Sequence, residues 1–391
     1  MANNTSNNSA SNFDSNKVCV VGCGFVGEHL LTCHSKTFDV YGYDVSQARV
    51  DTLTEHYKDN PNVHVSTDES VLENAGMYCI SVPTLLKADN TIDDVYLKSA
   101  IATVTKYAQP GSCVVMESSV SVGMTRALLT DLRATGVNIC HSPERVNPGQ
   151  ISPAVHEIPK LVSGYDDESL ECIKKYYSKS FDKIVPVSSM ETSEMAKLYE
   201  NCYRMVNVAY VNEISDAALK HGINPTELIN ACATKPFGFQ AFYPSLGVGG
   251  FCIDSNCNYL DVNNDLPLLM HAATTTRQRP INKAEEFIKK YPESNNILVI
   301  GAGFKPGQAV TYASPSLKYS KALDRLGKNV HVLDPLVKNF EGLQHITNDE
   351  FTVENVMNKF DKVVIGMRQT DIDYNVLSQL PTSMVVDAHL N

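Results

Sequence analysis

The sequence predicts an α/β protein in which two doubly wound domains are joined by a central helical domain. Short apolar strands alternate with helical segments in the first and last thirds of the chain, the pattern of parallel sheets covered by helices. Between them, apolar residues recur at helical spacing from Ser188 to Gly222 and predict one long helix. We therefore divide the chain into a disordered tail (1–16), a first α/β domain (17–187), a helical domain (188–293) and a closing α/β domain (294–391).

The composition is that of an ordinary globular protein of 391 residues, 43% hydrophobic and 20% charged. A net charge of -11 without a basic run disfavours nucleic acid and membrane surfaces as partners. No apolar run approaches the roughly 18 residues of a membrane helix, and the Asn/Ser-rich start lacks the features of a signal peptide. Eleven scattered cysteines without a CxxC pair indicate free thiols in a reducing compartment. We expect a cytoplasmic protein without a structural metal.

The first strand, Lys17 to Val21, leads directly into a GxGxxG turn and then into a helix. In this setting the glycines allow a tight turn and close approach of a pyrophosphate, and the helix N-terminus faces the phosphates. The second strand ends in Asp44, where a carboxylate binds ribose hydroxyls and favours NAD over NADP. We predict a Rossmann domain that binds NAD through Gly22, Gly24, Phe25, Val26, Gly27 and Asp44, with Pro83, Thr84 and Ser119 from later strands.

Three further strands of this domain end in polar residues. Ligands of doubly wound sheets sit beyond the carboxyl ends of the strands, so Thr84, Ser119 and Glu144 are expected to line one cleft. The alternative is that these residues are turn formers or helix caps, which is a strong alternative for Ser118 and Ser119. The capping alternative is weaker for Glu144, because this residue stands in a proline-flanked loop.

The long central helix carries Lys197, Asn201 and Arg204 on one face. Such a stripe usually faces solvent. The opposite side carries Tyr199 and Tyr210, however, so the helix is apolar nearly all round. We expect it to be buried, and we expect a homodimer formed through it.

A glycine-rich stretch runs from Lys235 to Leu260, with four aromatic residues between Phe237 and Tyr243, and Cys252 comes after its last two glycines. The glycines allow the backbone to approach a ligand closely, and the aromatic side chains can wall an apolar slot. A thiol leaving a glycine turn beside backbone amides is a candidate nucleophile. The alternative is a glycine-rich surface loop with a buried cysteine.

The closing domain repeats the start of the chain. Ile297 to Pro306 is similar to Val18 to Gly27, and Asp334 ends a strand as Asp44 does. Lys305 and Pro306 replace the end of the glycine fingerprint, and a lysine there suits a different phosphate ligand.

From Lys17 nearly to its end, the chain resembles the UDP-glucose/GDP-mannose dehydrogenase family, and within it the branch that oxidises UDP-N-acetylhexosamines at C6. The resemblance is carried by Ser142–Gly149, Ile158–Lys160, Glu194–Leu198 with Glu200 and Asn201, Val206–Ala209 with Asn212 and Glu213, and Ala233–Phe239 with Phe242–Pro244. It implies that a sugar CH2OH becomes a carboxylate by two hydride transfers to NAD, with the aldehyde held on a cysteine as a thiohemiacetal and then a thioester.

The resemblance also implies roles for matching residues. Cys252 would be the nucleophile, Lys197 would stabilise the oxyanion, and Asn201 would help to hold it or its water. Glu144 and Ser119 would serve proton transfer and water placement. The UDP-sugar would bind at Glu144, Arg145, Val146, Lys197, Asn201, Phe237, Phe239, Phe242, Tyr243, Gly249 and Lys305.

Several positions depart from the family pattern GGxCxPxD. Asp254 replaces the proline, and Asn256 replaces the catalytic acid. Three interpretations remain open: a complete UDP-sugar 6-dehydrogenase, for a UDP-N-acetylhexosamine or UDP-glucose; a dehydrogenase with altered or incomplete oxidation; and a UDP-sugar-binding protein that no longer catalyses. Further departures are Phe251 for a histidine, Ala309 and Val310 for an acidic pair, Tyr312 for an arginine and His389 for a late arginine.

Overall fold

A computed structural model describes residues 13–87, 91–146, 152–250 and 252–389. The chain divides into two compact units, Met1–Tyr199 and Glu200–Asn391, and the boundary falls inside one helix. The predicted fold class is confirmed, since each unit contains a parallel sheet flanked by helices. The division into three domains stays a prediction.

The first unit is built on an eight-stranded sheet with the order β10-β9-β8-β7-β4-β1-β2-β3, and only the β8–β9 pair is antiparallel. Ligands of such sheets bind where the chain reverses direction of winding, beside the first strand. Its elements in chain order are β1 (Asp14–Val21), α1 (Phe25–His34), β2 (Asp39–Tyr43), α2 (Gln47–His56), β3 (Val63–Ser66), β4 (Ala75–Ile80), β5 (Leu85–Leu86), β6 (Ile92–Asp93), α3 (Val95–Tyr107), β7 (Cys113–Met116), α4 (Met124–Ala134), β8 (Asn138–His141), β9 (Lys160–Gly164), α5 (Asp167–Ser180) and β10 (Ile184–Pro186).

The central strands are apolar on both faces because helices cover both sides of the sheet. In β1, Val18 and Val20 belong to one buried cluster, and Cys19 and Val21 belong to the other. Alternate residues of a strand point to opposite faces, so a continuous apolar run is the expected sequence of such a strand.

The predicted tail was too long. Strand β1 begins at Asp14, whose N–H donates to Asn74 O and which pairs with Ala75 of β4. These backbone partners extend the strand into a segment whose composition predicted disorder. Residues 1–12 of the predicted tail lie outside the described residues.

The second unit contains the rest of a long helix and a five-stranded parallel sheet with the order β13-β12-β11-β14-β15. This sheet is the predicted second α/β unit. Its helices and strands are α6 (Met190–Lys220), α7 (Pro225–Ala233), α8 (Cys252–Asp261), α9 (Pro267–Lys290), β11 (Asn296–Ile300), α10 (Pro315–Arg325), β12 (Asn329–Leu333), β13 (Gln344–His345), α11 (Val353–Lys359), β14 (Lys362–Ile365), α12 (Asn375–Gln379) and β15 (Val385–Asp387).

The structure adds two details to the expectations about the central segment. Cys252 is the first residue of helix α8 and does not lie within a loop. Helix α6 is not buried all round in the single chain, because Met195, Tyr199, Tyr203 and Tyr210 are exposed. Among the helices of the described residues, none has the length and apolar character needed to cross a membrane.

Candidate active site

The glycine turn of the first unit leaves room for a ligand at one position. A Cβ on Gly22, whose φ is +86°, would lie 2.8 Å from Val82, and a Cβ on Gly27 would lie 2.1 Å from Gly22 O. These two glycines are required by the protein's own packing. A Cβ on Gly24 would meet nothing within 4 Å. The open side of Gly24 at the start of α1 fits the approach of a dinucleotide pyrophosphate.

Asp44 lies beside this turn, as the sequence predicts. Its carboxylate accepts hydrogen bonds from Cys23 N–H at 2.8 Å and Ser46 N–H at 2.9 Å. A carboxylate has about four acceptor sites, so acceptor capacity remains for ribose hydroxyls. The arrangement fits NAD.

Sequence reasoning missed the residue that secures the glycine turn. Arg49 donates to Cys23 O at 2.7 Å and to Gly24 O at 3.3 Å, and its guanidinium pairs with Glu28 at 2.5 Å. Arg49 lies on α2 and Glu28 on α1, and nothing in their spacing marks them as a pair. With its donors directed at these groups, Arg49 stabilises the turn.

The ends of β4 and β7 meet, as predicted from sheet geometry. The Thr84 hydroxyl donates to Ser119 O at 2.7 Å, and the Ser118 hydroxyl donates to Val82 O at 2.7 Å. Ser118 therefore ties two strand ends together, which agrees with its alternative interpretation as a turn residue. Pro83 and Phe25 are exposed, and Val26 is half-buried.

Glu144 follows β8 at the same edge of the sheet and is buried. One carboxylate oxygen accepts from Val146 N–H at 2.5 Å, and the other lies 3.7 Å from Lys160 Nζ. Arg145 donates to Pro159 O at 3.0 Å. The next residues of this predicted motif, Asn147 to Gly149, lie outside the described residues.

Lys160 and Glu117 form a second pair beside Glu144 that sequence reasoning also missed. Lys160 Nζ lies 2.6 Å from Glu117 Oε2, and the Tyr177 hydroxyl donates to Glu117 Oε1. Burial raises the pKa of Glu117 to about 7, although Lys160 opposes the rise. Burial lowers the pKa of Lys160, but Glu117 and Glu144 outweigh it and leave that pKa raised.

In the second unit, packing requires the two glycines before the thiol. A Cβ on Gly249 would lie 2.8 Å from Phe304 Cβ, and one on Gly250, at φ +81°, would lie 2.8 Å from the Phe304 ring. The Gly250 N–H donates to Tyr312 O at 2.9 Å. This amide is therefore not available to a thiolate or an oxyanion. Phe251 lies outside the described residues.

Cys252 is exposed at the start of α8, and Asn256 lies one turn later on the same side of the helix. Asn256 is buried, and its side-chain oxygen accepts from Asn201 Nδ2 at 2.5 Å. Arg204 in turn donates to Asn201 Oδ1. Lys197 is buried on α6, one turn before Asn201.

Asp254 does not replace the missing acid. Its carboxylate lies 2.7 Å from Arg277 Nε, and the Arg277 guanidinium also contacts Asp254 O at 3.4 Å. The ion pair holds this acid against α9. The carboxylate of Asp254 is thus paired with Arg277.

The aromatic side chains that were predicted to form a slot do not come together in the single chain. Phe237, Phe239 and Tyr243 are exposed, and Tyr243 donates to Asn230 at 2.9 Å. Phe242 packs edge to face on Tyr203, with ring centroids 6.0 Å apart. The spacing of aromatic residues along a loop does not determine whether their rings converge.

Backbone N–H groups of the second glycine fingerprint donate to side chains of the same unit. Asp334 is buried, and its carboxylate accepts from the N–H groups of Ala302 and Gly303 at 2.8 and 2.9 Å. Gln369 accepts from Gly307 N–H at 2.7 Å. Because these amides already have partners, this turn does not offer them to a pyrophosphate. Lys305 remains half-buried, and burial and the charge of Arg204 lower its pKa.

The glycine turn with Gly24 open and the acid at Asp44 define a dinucleotide-binding domain in the first unit, and the second unit carries an exposed thiol at Cys252. Residues 16–181 match the NAD binding domain of the UDP-glucose/GDP-mannose dehydrogenase family, and residues 191–282 match its central domain. The chain belongs to this family. The predicted family, enzyme class and cofactor are confirmed: it is a nucleotide-sugar dehydrogenase, and NAD is its cofactor.

Similar proteins span most of the chain. The UDP-N-acetyl-D-mannosamine dehydrogenase of Methanococcus maripaludis strain S2 is 28% identical over 354 residues, 84% of this chain and 82% of that one. Protein CapL of Staphylococcus aureus is 30% identical over 365 residues, 88% of this chain and 84% of that one.

Solved structures show the same fold. The UDP-D-ManNAc dehydrogenase of Pyrococcus horikoshii aligns with a TM-score of 0.82 at 24% identity, over 96% of this chain and 99% of that one. A UDP-glucose dehydrogenase of Pyrobaculum islandicum aligns with a TM-score of 0.83 at 16% identity, over 97% and 95% of the two chains.

Proposed function

We propose that the protein oxidises C6 of a UDP-N-acetylhexosamine to a carboxylate, with Cys252 as the nucleophile. The observation that carries the proposal is the exposed thiol at the start of α8, with Asn256 one turn later on that helix and Asn201 of α6 bonded to Asn256. Relatives named UDP-N-acetyl-D-mannosamine dehydrogenase support the substrate class. UDP-glucose is the alternative substrate.

Gly24 and Asp44 would hold NAD, which would supply the hydride acceptor for both oxidations. The Cys252 thiolate adds to the aldehyde carbon to give a thiohemiacetal, whose oxidation gives a thioester. Lys197 stabilises the negative oxygen, and Asn201 donates to it. Water then adds to the thioester carbon as Glu144 takes its proton, and the C–S bond breaks to return the thiolate. Oxidation of the alcohol to the carboxylate removes four electrons, so it would require two molecules of NAD for each carboxylate formed.

The supporting groups follow from their positions. Ser119 and Thr84 lie at the edge of the sheet where a ligand of the first unit binds. Arg145 and Val146 flank Glu144, and Lys305 offers a cation for the UDP diphosphate. The aromatic residues Phe237, Phe239, Phe242 and Tyr243, with Gly249, are proposed to contact the nucleotide sugar, although the rings do not form a slot in the single chain.

A second outcome is favoured by Asn256. Its side chain is an amide bonded to Asn201, so this position offers no carboxylate to accept a proton. Thioester hydrolysis then depends on Glu144 alone. Incomplete oxidation of the sugar is therefore our second proposed function.

We also propose a homodimer formed through α6, supported by the exposed tyrosines along this helix. A cytoplasmic location is part of the same proposal and rests on the scattered cysteines.

The proposed function is tested by counting NADH formed per molecule of UDP-sugar consumed. The substrates are UDP-N-acetylglucosamine, UDP-N-acetylgalactosamine, UDP-N-acetylmannosamine and UDP-glucose, each with Cys252→Ala and with Cys232→Ala, which changes the other exposed cysteine. We expect two NADH per sugar, lost in Cys252→Ala and kept in Cys232→Ala. One NADH would establish incomplete oxidation. No NADH despite tight binding of a UDP-sugar would indicate a binding protein.

A further inference from the structure

The carboxyl edge of the first sheet holds a buried ammonium group that the mechanism above does not use. Lys160 is 4% exposed, and its Nζ lies 2.6 Å from Glu117 Oε2, 3.2 Å from Pro143 O and 3.7 Å from Glu144 Oε2. Glu117 is 1% exposed and Glu144 is 8% exposed. Two carboxylates thus share one buried cation, and one of the two is the proposed proton acceptor.

The topology of the sheet creates this cluster. Strand β9 runs antiparallel to β8, with Cys140 opposite Gly164, so β9 begins beside the end of β8. Lys160 is the first residue of β9, and Glu144 follows β8 by three residues. Glu117 directly follows β7, the parallel neighbour of β8. The charged residues at the ends of the neighbouring strands β7, β8 and β9 therefore lie close together.

Stability alone does not explain the cluster. Removing charged groups from water costs several kcal/mol per ion, and apolar replacements of buried ion pairs are often as stable or more stable. The two carboxylates are also held differently. Glu117 has Lys160 and the Tyr177 hydroxyl as partners, whereas Glu144 has Val146 N–H on one oxygen and Lys160 beside the other.

We propose that Lys160, anchored by Glu117, is a positioning residue for Glu144. The ammonium group holds the Glu144 carboxylate in one orientation and places a positive charge beside it while it takes the proton of the attacking water. Glu117 fixes the lysine so that its charge does not move away. The inference rests on the proposed role of Glu144 in the reaction.

The experiment is a double-mutant cycle of Lys160→Met and Glu144→Gln. The turnover of NADH and the KM for NAD are measured, and the mass of rapidly quenched protein reports acyl adduct on Cys252. We expect each single variant to lower kcat about 10–100-fold and to accumulate adduct, with the KM for NAD within about twofold of wild type. The double variant should be no slower than Glu144→Gln alone, because Lys160 acts through Glu144.

Two further variants distinguish a loss of turnover from a folding defect. Lys160→Met combined with Glu117→Gln removes the unpaired carboxylate that Lys160→Met alone would leave, and it should be as slow as Lys160→Met. Arg133→Met is the matched control, since it removes a cation of the same unit that pairs with Asp166 and Glu168. Its kcat should equal that of wild type.

Three results would overturn the inference. Wild-type kcat in Lys160→Met, with or without Glu117→Gln, would show that Glu144 needs no positioning. Losses that multiply in the double variant would show that Lys160 acts on something other than Glu144. Full turnover in Glu144→Gln would contradict the role of Glu144 in the proposed function, and the role of Lys160 would fall with it.

Discussion

Asn256 is the residue on which the chemistry of the thiol depends most. It is buried one helical turn from Cys252 and bonded to Asn201, and Arg204 holds Asn201 in turn. An amide at this position donates and accepts hydrogen bonds but does not take up a proton at neutral pH. The neighbouring carboxylate of Asp254 is held by Arg277.

We expect Asn256→Asp to raise kcat about 10–100-fold, because it restores a proton acceptor beside the thiol and Asp can still accept from Asn201. NADH formation at saturating NAD and UDP-sugar measures the change. Ser255→Asp adds a carboxylate to a half-buried neighbour on the same helix and should leave kcat unchanged. An unchanged kcat in Asn256→Asp would mean that the missing acid does not limit turnover.

Two buried histidines make the first unit sensitive to acid. His34 Nδ1 lies 2.8 Å from Ser180 Oγ, and His141 Nδ1 lies 2.7 Å from Ser193 Oγ. Burial, with a smaller contribution from Lys160, lowers the pKa of each histidine from 6.5 to about 3. Between these values the unfolded chain binds a proton that the folded chain does not bind. The free energy of unfolding therefore falls as the pH drops below 6.5.

The expected loss is about 1.4 kcal/mol per pH unit for each histidine at most. Urea unfolding at pH 7, 6 and 5 measures it, and the slope of His34→Gln should be smaller than that of wild type by up to about 1.4 kcal/mol per pH unit. The raised pKa of Glu117 opposes the loss in this pH range, so the total slope is not the simple sum for the two histidines. His56→Gln changes an exposed histidine of the same unit and should leave the slope unchanged. A slope in His34→Gln equal to that of wild type would contradict the assignment.

At the scale of elements, the turn between β1 and α1 combines packing and binding. Gly22 packs against Val82 and Gly27 packs against Gly22 O, whereas Gly24 faces open space. Arg49 reaches from α2 to hold the carbonyl groups of this turn. The three glycines of one motif therefore have separable roles.

We expect Gly24→Ala to lower NAD affinity at least about tenfold while leaving the melting temperature unchanged, because its Cβ would enter only the space a pyrophosphate needs. Gly27→Ala should lower both, since its Cβ would clash with Gly22 O. Calorimetric titration with NAD and thermal unfolding measure the two effects. Equal NAD affinity in Gly24→Ala and wild type would argue against the cofactor site.

At the scale of the whole molecule, α6 exposes large apolar and aromatic side chains in the single chain. Tyr199 and Tyr210 are 65% and 63% exposed, and Ile214 lies one turn beyond Tyr210. Exposed apolar surface of this kind commonly marks an interface between subunits.

We expect the wild-type protein to have the mass of a dimer by light scattering and Tyr210→Glu combined with Ile214→Glu to have the mass of a monomer, because burying these charges at an interface is costly. Met357→Glu on α11 changes an exposed apolar residue elsewhere and should remain a dimer. A monomeric wild-type protein would contradict the proposal.

The features that could be predicted from sequence are those encoded by neighbouring residues. The turn from Gly22 to Gly27, the acid at Asp44 and the long α6 depend on local backbone chemistry and on periodicity, and the structure places them as expected. Local chemistry also made Cys252 and Glu144 candidates, and the resemblance implied their roles, since the chain keeps the family's residue types around them.

Contacts between distant segments were decided only by tertiary structure. Glu117 and Lys160 are 43 residues apart, and they meet because β9 runs antiparallel to β8. Gly249 and Gly250 serve packing because Phe304, from the closing α/β region, lies against them. Local patterns specify elements and turns through short-range sterics, whereas the partners of a buried charge or a glycine depend on how the sheets bring distant segments together.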